Sequence, residues 1–92
     1  MNAQAIIDFV KERDEAFIDF VKTGDLKKVY AFSARYGVNV PEDETVVKVG
    51  IYKAVQECTS IPLNIKTKAA LKCMEMGFNP IIRWHDVEEV EE

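Results

Sequence analysis

Between residues 3 and 22 apolar side chains return every three or four positions, as Ile6, Phe9, Val10, Phe17, Phe20 and Val21. That period predicts a helix. At about 100° per residue the apolar arc takes in about half the circumference, too wide for a helix with one neighbour, so this one is expected to be central. Asp8, Glu12, Glu15 and Asp19 gather within about 60° on the opposite side, which reads as a water-facing acidic stripe flanked by Lys11 and Lys22. Gly24 can take the left-handed backbone that ends a helix, and Asp25 can accept from the first free amides of the next. A second helix is predicted over residues 26–36, with Leu26, Val29, Tyr30, Phe32, Ser33 and Tyr36 on one face. Gly37 stops it, Val38 is placed to pack back on its last turn, and Pro41 prevents a restart.

The stretch PEDETVVKVGIYKAVQEC is ambiguous, because Thr45, Val46, Val47, Val49 and Ile51 favour strands and Gly50 weakens a helix by about 1 kcal/mol. The helix reading wins on pattern. Asp43 is a good cap, Glu44 suits the positive end, and Val47, Gly50, Ile51, Ala54, Val55 and Cys58 form one stripe over residues 44–58. Gly50 on that stripe suggests close approach of another helix. Ser60 and Pro62 open a fourth helix, which Ala69, Ala70, Cys73, Met74 and Met76 carry to Gly77.

The exits YGVNVP and MGFNP echo one another, Gly37 and Gly77 standing forty positions apart. The chain therefore reads as two helical hairpins in an all-α fold. Their period is weakly reminiscent of ankyrin or HEAT pairing, but an open stack needs about three units, so a compact four-helix domain is expected over residues 1–85. Ile81, Ile82 and Trp84 are expected to fold back on the body. Residues 86–92 are expected to fray, lacking a cap.

Three apolar residues of the third helix, Val46, Val49 and Tyr52, lie outside its main stripe on a face shared with Lys53 and Gln56. They want cover, from the first helix, from the IIRW segment, or from a second molecule. With Trp84 they form the candidate partner surface.

Charge then narrows the function classes. Five of the sixteen acids stand in DVEEVEE at residues 86–92, which leaves the body with twelve bases against eleven acids. A phosphate binder is expected to show a strong basic excess. A thin patch of Lys66, Lys68, Lys72 and Arg83 remains the alternative, as a weak nucleic-acid accessory site. Apolar residues at 48% and charged residues at 30% suit a folded chain rather than a disordered one. No apolar run nears the roughly 20 residues of a bilayer span, and the first seventeen residues lack the form of a secretory signal, so the cytoplasm is the expected compartment.

Reactive groupings are not assembled by any motif. Cys58 and Cys73 lack the paired spacing of a zinc site, and in an antiparallel hairpin about 15 Å would separate them, beyond disulfide reach. His85 beside Asp86 has no nucleophile placed near it by sequence. Neither catalysis nor a cofactor is expected.

The succession FVKTGDLKKVYAFSARYGVNVPEDE, VGIYKAV and SIPLNIKTKAALKCMEMGFNP, within residues 17–80, resembles small uncharacterised helical proteins of prophages and integrative elements of Gram-positive bacteria. The resemblance implies a bacterial cytoplasm, a mobile-element setting and an accessory role through binding another protein. The expected partner is another protein or a second copy of the chain.

Overall fold

A computed structural model describes residues 2–79. It contains four helices, α1 Ala3–Thr23, α2 Lys27–Tyr36, α3 Glu44–Glu57 and α4 Leu63–Glu75, and no strand among the described residues. The all-α fold is as the periodicity predicts, in two hairpins, α1 with α2 and α3 with α4. The β-favouring valines of α3 do not prevent a helix. Asp43 caps it, its carboxylate accepting the Thr45 amide at 2.9 Å, and Lys48 reaches back to Glu44 at 3.1 Å.

Helix ends follow the local chemistry. Asn2 caps α1 by accepting the Ala5 amide at 2.8 Å, and Gly24 closes it with φ 76°. Asp25 accepts the Lys27 amide at 2.8 Å at the start of α2. The forty-residue echo is a repeated hydrogen bond: the Val38 amide donates to the Ser33 carbonyl at 2.9 Å, and the Phe78 amide to the Cys73 carbonyl at 3.1 Å. Both closures need the left-handed glycine between them, at φ 66° and 85°. Val38 and Phe78 nevertheless stay largely exposed, so the expected packing of Val38 on the last turn of α2 is incomplete.

The start of α4 departs from expectation. Pro62 stands at its N-cap position and has no side-chain oxygen to cap the first amides, and two residues earlier the Ser60 hydroxyl is bonded elsewhere. It donates to the Asp14 carboxylate of α1 at 2.6 Å, while Arg13 holds the other oxygen of that carboxylate at 2.8 Å. A residue read as a local cap is thus a tie between the two hairpins.

Helix α1 is central, approached by each of the other three, whereas the α2 backbone approaches only α1. Contacts fix the directions. Phe9 meets Tyr36 at 5.0 Å and Asp19 meets Lys28 at 3.5 Å, so α1 and α2 are antiparallel. Phe20 meets Tyr52 at 4.9 Å and Asp14 meets Ser60, so α1 and α3 are antiparallel as well. Helices α2 and α3 therefore point the same way. The chain leaves α2 beside Phe9 yet enters α3 at Glu44, which lies by the Thr23 to Lys27 corner. Residues 37–43 must run back along the molecule, a strap whose seven residues reach about 23 Å when extended, against about 20 Å of helix to be covered.

The core centres on Phe20, Val21, Val55, Ala69 and Cys73, all essentially without solvent exposure. Around them lie Leu26, Val29 and Phe32 from the first hairpin and Val47, Ile51, Ile61 and Ile65 from the second. The acidic stripe of α1 is not simply water-facing. It borders α2, where Arg35 pairs with Glu12 at 3.1 Å and Lys28 with Asp19, so the bases that offset it come from the neighbouring helix rather than from Lys11 and Lys22.

Candidate functional site

The candidate partner surface is split by the fold. Val49 and Tyr52 are buried, at 8% and 6% exposure, with the Tyr52 ring against Phe20. They belong to the core and cannot be a docking face. The buried arc of α3 is wider than the predicted stripe: packed against both α4 and α1, it takes in Val49 and Tyr52 beside the stripe residues Val47, Ile51 and Val55, and leaves Gly50 at the outward edge. Burial raises the Tyr52 phenol above its ordinary value, so it stays neutral in the core. Val46 is half exposed, and Trp84 lies outside the described residues.

On the outward side of α3 a groove opens between α2 and α3. Its cavity is about 300 Å³. Phe17 of α1 lies at its base, Val29 and Phe32 come from α2, Val46, Gly50 and Ala54 from α3, and Val38 to Pro41 of the strap close one side. None of its lining residues is ionisable. Gly50 was expected to admit a close helix, but no helix comes near: a Cβ built there would meet nothing within 4 Å. Its backbone is not left-handed either. The groove was missed in the sequence because the stripe Val47, Gly50, Ile51, Ala54 has the spacing of a packed face; Val47 and Ile51 are buried as that spacing predicts, while Gly50 is exposed and Ala54 half-buried at the groove wall.

The lysines of the alternative site do not converge. Lys66 lies on one flank of α4 and Lys68 and Lys72 lie on the other at about 100° per residue, Lys72 being paired with Glu75 at 3.4 Å. Arg83 lies outside the described residues.

Among the described residues, several other polar side chains make contacts within the fold. The Glu12 carboxylate accepts a hydrogen bond from Tyr36, which raises the Tyr36 phenol, and pairs with Arg35. Cys58 and Cys73 are both free thiols, Cys73 fully buried and its Sγ 3.7 Å from the Asn79 carbonyl. No group of three or more His, Cys, Asp or Glu side chains able to hold a metal occurs among the described residues. No described helix is long and apolar enough to cross a membrane. No protein-family model, curated protein or solved structure matches the chain.

Proposed function

We propose that this protein is a non-enzymatic accessory that binds another protein by taking an apolar side chain of its partner into the groove between α2 and α3. Gly50 carries the reading. Glycine inside a helix costs about 1 kcal/mol relative to alanine, and here neither backbone conformation nor internal packing requires it. What it does is keep the wall of an apolar groove free of a side chain. A cavity of this size and lining suits one large aliphatic or aromatic anchor, the kind of residue that dominates protein interfaces. The cytoplasmic, mobile-element setting implied by the sequence resemblance belongs to the same proposal.

The test places a photocrosslinking amino acid at Val46, on the rim, in cells. One defined adduct that disappears in Gly50→Leu, while the purified variant keeps its helical circular dichroism, is the expected result. An adduct to the chain itself makes the partner a second copy. Equal adducts from Val46 and from a control site at Lys22, or none at all, would overturn the reading.

A further inference from the structure

Ser33 of α2 is 6% exposed, and it lines the α2–α3 groove. A hydroxyl buried to that degree is expected to be hydrogen-bonded. This one makes no side-chain hydrogen bond among the described residues, and its oxygen is not sealed off from solvent. Other helical hydroxyls of the chain bond back to their own helix. The Thr23 hydroxyl donates to the Asp19 carbonyl at 2.8 Å, and the Thr67 hydroxyl to the Leu63 carbonyl at 3.0 Å. Ser33 makes no such bond to Val29, one turn before it, and its hydroxyl is left for whatever enters the groove.

The rest of the groove narrows what that can be. Phe17, Val29, Phe32 and Val46 give it apolar walls, and no lining residue is ionisable. A side chain that fills the groove drives water from Ser33. Leucine or phenylalanine would then leave the hydroxyl without a partner, which lowers affinity. A charged side chain would itself lose water without meeting a counter-charge. Tyrosine meets both demands: its ring suits the apolar walls, and its phenol both donates and accepts, as the serine hydroxyl does.

The chain does not offer such a group to its own groove or to that of a second copy. Residues 80–92 contain no tyrosine. Tyr52 is in the core, Tyr36 is bonded to Glu12, and Tyr30 is more than half covered beside the corner between α1 and α2. We infer that Ser33 is the specificity-determining residue of the groove, and that the anchor it selects is a tyrosine of another protein. This rests on the reading of the groove as a docking site, to which Ser33 adds the choice among anchors.

The experiment is an NMR titration of the full chain with p-cresol and toluene, the side-chain analogues of tyrosine and phenylalanine. Water holds p-cresol more tightly than toluene, so a pocket with no hydrogen bond to offer would favour toluene. Saturable shifts of the Ser33, Gly50 and Ala54 amides are expected, with p-cresol bound about tenfold more tightly than toluene. Ser33→Ala, checked for unchanged helical circular dichroism, should abolish that preference. If both compounds shift these amides but toluene binds the unaltered chain as tightly, the groove stands and the choice by Ser33 is overturned. A preference that survives in Ser33→Ala, or tighter binding of 3-methylindole than of p-cresol, overturns it too. If neither compound shifts the Gly50 amide, the groove reading itself fails and takes this inference with it. Movement of the amides of residues 81–92 on adding p-cresol would also overturn it, since the groove would then already hold the chain's own end.

Discussion

The two hairpins are joined internally by different means. Between α1 and α2 the contacts are aromatic, Phe9, Phe32 and Tyr36 lying within 5.0 to 5.3 Å of one another, and two ion pairs run along the seam. The buried residues of α3 and α4 are mostly small and aliphatic, as Val49, Val55, Ile65, Ala69 and Cys73, and the ion pairs described there each stay within one helix. Large rings with charges at their margin fix how α1 and α2 are aligned, whereas small side chains let α3 and α4 approach closely without any charge choosing the alignment. The first hairpin should therefore respond to salt, and the second to changes of volume.

The strongest way to break this arrangement is at the join between the hairpins. Phe20→Ala removes a fully buried ring that meets Tyr52, and should destabilise the domain by about 3 to 5 kcal/mol in urea unfolding. Ser60→Ala cuts the hydrogen bond to the Asp14 carboxylate and should cost about 1 to 2 kcal/mol, with the loss shared by both hairpins in hydrogen exchange. Gly50→Ala should change stability in the opposite direction, by up to about 1 kcal/mol, because the new methyl meets open space. A destabilised Gly50→Ala would mean that the groove is closed in solution.

Two smaller effects each follow a single side chain, one in each hairpin. The folded state holds the Tyr52 phenol above its ordinary value of about 10, so below that pH both states are neutral at this group and its contribution is complete. As pH rises past about 10 the unfolded chain releases the proton first, and stability falls. Urea melts between about pH 8 and 11 should show that decline lessened in Tyr52→Phe. Arg35→Ala should cost at most about 0.5 kcal/mol at low salt, since the Arg35 side chain is 68% exposed, and the cost should shrink toward zero at about 1 M salt.

Helix ends were legible because they are settled within a few residues. Gly24, Gly37 and Gly77 take left-handed backbones, and Asp25 and Asp43 accept nearby amides, as the sequence suggests. Sidedness was less legible. Val49 and Tyr52 lie off the apparent stripe of α3 and are buried, while Gly50 lies on it and is exposed, because the covered face depends on where α4 and the strap come to rest. The same holds for Ser60, whose partner Asp14 is forty-six residues away. Nothing in the spacing of either residue announces that bond. The candidate surface was thus half legible: Val46 is at the groove, but its companions are inside.

The strap between the parallel helices carries one more implication. Its residues 37–43 are mostly exposed and are the sole covalent link between the hairpins. A break in that stretch would sever no helix, and would turn an intramolecular interface into recognition between two short polypeptides. Recognition between the halves would then rest on Phe20 against Tyr52 and Ser60 against Asp14, the contacts that now join the hairpins.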